Sequence, residues 1–180
     1  MIDHFASLAD KTIVVISDPK NPAKIRRTPI NDLEVTPDQA QEILKIYTEG
    51  RPVEYIIKTS PVTYVYDYLA ERSQPGQKIL LGVSGKGDDA NRYNNAQKYA
   101  PDGVEVEPSV FMDSDLNISA GDFRRVLDEL DPNFDIESGQ REEFINNQLS
   151  PYLPDHLNDD QKYRVFDILS QSYLRSLTKL

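Results

Sequence analysis

Three short, nearly continuous apolar runs, separated by helix-start signals, constrain this chain more than any other feature. Thr12-Ile13-Val14-Val15-Ile16-Ser17, Val53-Glu54-Tyr55-Ile56-Ile57-Lys58 and Lys78-Ile79-Leu80-Leu81-Gly82-Val83-Ser84 have strand length and strand composition. Between them, Thr36-Pro37 and Ser60-Pro61 each place an N-capping hydroxyl before a proline suited to the first helical turn. The first of these helices carries Ala40, Ile43, Leu44 and Tyr47 and stops near Gly50; the second carries Val65, Tyr68 and Leu69. A short amphipathic helix is expected over residues 2–10, a helical stretch over 90–99 and an edge strand from Val104 toward Met112. Helices are further expected over 140–149 and 158–177, the last with a broad apolar stripe. Apolar strands alternating with helices predict an α/β fold: a three-layer sandwich with a mainly parallel, Rossmann-like sheet and C-terminal helices.

The 180 residues suffice for one sizeable core, so the expectation is an α/β domain over 1–135 with a helical extension, 136–180, packed on it. Thirty acidic against twenty basic residues give a formal charge of −10, which disfavours an extended nucleic-acid groove or an anionic membrane surface but leaves room for a local basic pocket. There is no cysteine, and His4 and His156 are too few and too far apart in sequence for a zinc site, so no metal-ligating residues are named. No run reaches the ~18 apolar residues of a membrane span, and Asp3 and Asp10 do not fit a signal peptide. A cytoplasmic location is expected.

Lys20, Lys24, Arg26 and Arg27 fall within eight residues, in a proline-rich loop leaving the first strand. Such a loop suits a phosphorylated ligand, with arginine forks matching phosphate oxygens; it is also compatible with solvated charges balancing local acids. A second candidate is Asn117-Ile118-Ser119-Ala120-Gly121-Asp122-Phe123-Arg124-Arg125. Ser119 stands at an N-cap position, Asp122 at the capping-box position, and Phe123, Val126, Leu127 and Leu130 continue an apolar period. A helix start with free N–H groups and Arg124 one turn in is an anion site, or simply a capped surface helix. Gly85-Lys86-Gly87 and Gly82-x-x-Gly85 lack the spacing of the Walker and dinucleotide motifs. Asp88, Asp89, Asp113 and Asp115 are compatible with magnesium beside phosphates or with caps and turns, and Tyr93 and Tyr99 with base stacking or packing. The basic loop, the loop after Ser84 and the Ile118–Arg124 helix start all follow strand ends, which predicts one shared crevice.

Ile118-Ser119-Ala120-Gly121-Asp122-Phe123-Arg124 resembles the I-S-x-T-x-(aliphatic)-R signature of the cytidylyltransferase-like nucleotidyltransferases, and Asn21-Pro22-Ala23-Lys24 resembles the N-P-x-K after that family's second strand. With Leu153-Pro154 and a terminal helix, the whole chain is similar to nucleotidyltransferase-like proteins of tailed bacteriophages, which would place it in a host cytoplasm. The resemblance implies transfer of a nucleotidyl group from a nucleoside triphosphate to a phosphate-bearing acceptor, with pyrophosphate release and Mg²⁺ as cofactor. It implies Arg124 and Lys24 as catalytic residues, with Ser119, Gly121, Arg124 and Gly82 contacting the nucleotide. Lys20, Arg26 and Arg27 would hold the phosphate of the second substrate. Two departures stand out. Gly121 replaces the signature threonine, and the family's first strand with its H-x-G-H motif is absent, since His4 is not followed by Gly-His. That strand lies near the family's sheet centre, so its absence leaves unpaired backbone unless the order is rearranged or another chain fills the gap. A truncated form, or a noncatalytic phage structural or interaction protein retaining the fold, is the competing expectation.

Overall fold

The computed structural model describes residues 1–85, 87–112 and 120–178, with side chains through 175. It contains helices α1 (Ile2–Leu8), α2 (Pro37–Tyr47), α3 (Pro61–Glu71), α4 (Ala120–Asp128), α5 (Gln140–Phe144) and α6 (Asp159–Thr178). Its strands are β1 (Thr12–Ser17), β2 (Val53–Lys58), β3 (Lys78–Ser84) and β4 (Glu105–Phe111). The chain is therefore mixed α/β with parallel pairing: β1 with β2 from Thr12↔Val53 to Ser17↔Lys58, and β3 with β4 from Lys78↔Glu105 to Ser84↔Phe111. Among the described residues these are two separate two-stranded ladders.

Local chemistry accounts for the helix starts. Thr36 closes a full capping box with Gln39, and Ser60 accepts the Thr63 N–H, each with proline in the first helical turn. Gly50 takes φ +79 past α2, where a side chain would be strained. The expected helix over 90–99 is instead two 3-10 turns, Gly87–Asn91 and Ala96–Tyr99. Asn91, Asn94 and Asn95, residues of low helix propensity, interrupt it, and the Asn94 side chain donates to that of Asn91. The expected 140–149 helix is α5 followed by a π-helical turn, Ile145–Leu149.

The chain divides into two compact units, each assembled from two stretches: Met1–Asp18 with Gly50–Leu116, and Pro19–Glu49 with Asn117–Leu180. In the first, Leu69 of α3 packs with Leu81, Val83, Tyr93, Ala96, Val104 and Val106. In the second, α2, α4, α5 and α6 meet around Ile43, Ile46, Leu127, Phe144, Val165 and Phe166, with the Phe144 and Phe166 rings edge to face. Gln39 is the polar centre of that unit: it is 3% exposed, donates to the Ile168 carbonyl and accepts from Thr36, Ser172 and Arg175. No helix among the described residues is long and apolar enough to cross a membrane.

Candidate functional site

The second unit contains both the basic loop and α4. The loop is built from short-range bonds. Asn21 accepts the Ala23 N–H and starts a 3-10 turn over Pro22–Lys24. Arg27 and Glu34 then form an antiparallel bridge around a turn in which Asp32 takes φ 53, a conformation aspartate tolerates. Buried Thr28 ties the turn from inside, its N–H donating to the Leu33 carbonyl and its hydroxyl accepting the Leu33 N–H at 2.8 Å.

This turn is fastened to α4 by one carboxylate. Asp128 accepts the Ile30 N–H at 2.8 Å and the Asn31 N–H at 2.9 Å, while the Asn31 side chain donates to the Asp128 carbonyl. Partial burial pushes the Asp128 carboxyl up, but hydrogen bonds from Thr28, Asn31 and Ile30 together outweigh it and hold the group below the ordinary carboxylate value. Sequence reading passed over Asp128. The signal available was an acid in the last turn of a helix, where the dipole disfavours it and a local set of donors must compensate.

Turn and helix thus meet at Asp128, in the last turn of α4. Arg124 and Asp128 are four residues apart, one above the other on a single helix face. The cations around this point fall into two groups. Arg27 pairs with Asp32 and Glu34, and Arg125 with Asp122 at 2.5 Å, so both are occupied. Lys20, Lys24, Arg26 and Arg124 pair with no carboxylate among the described residues; the first three are exposed and Arg124 is half-buried. Arg27 is therefore a structural residue of the turn, and the free cations of the loop are Lys20, Lys24 and Arg26.

The remaining candidates are divided between the two units. Gly121 lies in the first turn of α4 and is half-buried, while Ser119, Lys86, Asp113 and Asp115 lie outside the described residues. Gly82 belongs to the first unit, where a Cβ would stand 2.7 Å from the Phe5 ring; glycine here admits α1 onto β3. The loop after Ser84 is also in that unit. Its Asp89 accepts the Ser84 N–H at 2.8 Å and pairs with Arg92, a clasp at the end of β3. Tyr93 is 7% exposed beneath Tyr66, with its hydroxyl pushed up by burial, which is packing; Tyr99 remains 45% exposed with its ring 4.6 Å from that of Tyr66. His4 lies against Phe5 and Phe111, and His156 bonds the Tyr47 carbonyl, each within its own unit. No group of three or more potential metal-binding side chains occurs among the described residues. Comparison with family models, with curated proteins and with solved structures yields no match to the chain.

Proposed function

We propose that the chain binds a nucleoside triphosphate through the unpaired cations of its second unit, in the manner of a nucleotidyltransferase. The observation that carries this reading is the contrast between neighbours. In a chain of net charge −10, Arg26 and Arg124 lack a carboxylate among the described residues while adjacent Arg27 and Arg125 have one. An arginine left half-buried without an acid is a ready receptor for phosphate oxygens. Arg124 would neutralise the triphosphate, the backbone at Gly121 and Ser119 would cradle it, and Lys24 with Lys20 and Arg26 would hold the phosphate of an attacking acceptor. Mg²⁺ would arrive with the triphosphate. The acceptor's phosphate oxygen would attack the α-phosphorus and pyrophosphate would leave, helped by positioning and charge neutralisation. In this reading the two ladders are halves of one parallel sheet in a three-layer sandwich of a protein working in a host cytoplasm. Turnover by the chain is expected to be feeble, because no H-x-G-H supplies donors that act in the transition state, each worth about a hundred- to a thousandfold.

Calorimetric titration with magnesium ATP and magnesium CTP tests the reading. Arg124→Ala is expected to weaken binding by about 1.5–3 kcal/mol, the range for hydrogen bonds to a charged group, and Arg124→Lys to recover only part. Equal affinities for wild type and Arg124→Ala would exclude the role. Robust pyrophosphate release by wild type, lost in Arg124→Ala, would show that the chemistry rests on other residues than those missing. A second reading, a noncatalytic phage structural or interaction protein, is favoured by the apolar strands β1 and β2, none of whose side chains is fully buried.

A further inference from the structure

Two exposed isoleucines of the second unit stand in surroundings of opposite charge. Ile30 is 80% exposed and Ile136 73%, the two highest values among the described large apolar side chains of that unit. A lone exposed isoleucine is ordinary. These two, however, are held outward by their backbones. The Ile30 N–H is taken by Asp128, which fixes the tip of the basic loop. The Ile136 carbonyl accepts the Gly139 N–H, the Asp135 carboxylate accepts the Glu137 N–H at 2.9 Å, and Phe134 packs the stretch onto the Phe144 and Phe166 rings.

The charges around them divide by sign. Residues 19–31 contain four cations and no acid; Arg27 is engaged within its turn, which leaves Lys20, Lys24 and Arg26 exposed and without an acid among the described residues. Residues 129–143 contain six acids and one cation. Glu129, Asp131, Asp135, Glu137, Glu142 and Glu143 are all exposed and pair with no cation among the described residues. The one cation, Arg141, pairs instead with Asp167 and lies over the Tyr163 and Phe166 rings. Neither set neutralises the other within one chain. Each is a small apolar centre with a rim of one sign, and the two rims are of opposite sign.

We propose that the basic loop around Ile30 docks on the acidic segment around Ile136 of a second copy of this chain. The occupant follows from charge. A nucleic acid or an anionic membrane would attract the loop but would be repelled by the six unpaired acids of the same unit and by a net charge of −10. A second copy brings both halves of the contact, the segment that complements the loop and the loop that complements the segment. The repulsion between two acidic copies is spread over their surfaces and is screened beyond about 8 Å at physiological salt, whereas loop and segment meet at contact. Made twice about a two-fold axis the contact closes a dimer; made once per pair it continues as a row of copies. A patch this small gives weak association, with a dissociation constant on the order of 10–100 μM. The inference does not rest on the nucleotide reading, and it engages Lys24 and Arg26 when no phosphate holds them.

Sedimentation velocity of the full chain tests it, at about 150 mM salt, without nucleotide or phosphate, from about 1 μM to about 1 mM protein. Wild type is expected to shift from monomer to larger species across that range. One variant carries Lys24→Glu with Arg26→Glu, the other Glu137→Lys with Glu142→Lys; all four side chains are exposed. Each variant alone is expected to stay monomeric, and the two mixed are expected to associate, because the acidic loop of one then meets the basic segment of the other. Two units of charge per reversed residue carry the net charge from −10 to −14 and −6, so overall repulsion does not explain the loss in the second variant, nor overall attraction the gain on mixing. Ile30→Ala and Ile136→Ala should each weaken wild-type association about tenfold. A wild type that is monomeric throughout overturns the proposal, as does association retained by either charge-reversed variant alone or absent from their mixture. Equal association of wild type and both alanine variants overturns it without any charge reversal. A monomeric wild type that sediments with phosphatidylserine vesicles would assign the loop to a lipid surface and overturn it equally.

Discussion

Replacing Asp128 should release the basic loop from α4, and the structure sets the size of the effect. The carboxylate accepts two backbone N–H groups, at 2.8 and 2.9 Å, and a bond from Thr28. Ile30 and Asn31 are exposed and can turn to water, so each of their bonds contributes about 1 kcal/mol net, and the bond from buried Thr28 adds about as much. Asp128→Ala is therefore expected to cost about 3 kcal/mol, and Asp128→Asn, which keeps one acceptor, roughly half of that. With a urea slope of about 2 kcal/mol per molar, the midpoint of the second unit should fall by about 1.5 M in the alanine variant. The pH dependence carries a definite sign. Because the folded group is held below its ordinary value of 3.8, its contribution is complete above that value and is lost as pH falls through the lower, folded pKa. Urea midpoints measured from pH 6 downward should thus show an acid-side loss in wild type that is shallower in Asp128→Asn. Locally, the Ile30 and Asn31 amides should exchange faster in both variants. Unchanged exchange at these two amides in Asp128→Ala would refute the anchoring argument, whatever happened to global stability.

Three other expectations concern single side chains. Gln39→Leu keeps the volume but removes the bonds to Thr36, Ile168, Ser172 and Arg175, and should cost about 2–4 kcal/mol by urea unfolding, with Gln39→Glu recovering part through Arg175; a cost below about 0.5 kcal/mol would contradict it. Burial pushes the Tyr47 hydroxyl up to about 12, so stability present below pH 10 should decline as pH rises toward 12, and Tyr47→Phe should flatten that decline; tyrosinate absorbance alongside urea midpoints reads both. Gln97→Ala should cost about 1–2 kcal/mol and speed exchange at the Val106 amide, since the Gln97 side chain accepts the Val106 N–H and donates to the Val104 carbonyl at the edge of β4; an unchanged Val106 rate would show that the edge is guarded by something else.

The elements themselves were legible because their causes are local. Period, length and caps placed β1, β2, β3, α2 and α3 where they occur, since Thr36, Ser60 and the apolar runs act within a few residues of themselves. Arg124 and the loop cations could be named for the same reason: their type and clustering are properties of the chain. What they do depends on which acid reaches them, and that is settled by how the backbone around them turns. Nothing near Arg27 distinguishes it from Arg26, yet the turn closed by Thr28 and Leu33 directs Arg27 to Asp32 and Glu34 and leaves Arg26 without an acid among the described residues. The link between the loop and α4 spans nearly a hundred residues and rests on Asp128, whose role no local pattern specifies. Sheet order is likewise a tertiary matter. An apolar run announces a strand, but hydrogen-bond partners are chosen among all strands at once, so only the folded chain shows two parallel ladders, β1 with β2 and β3 with β4.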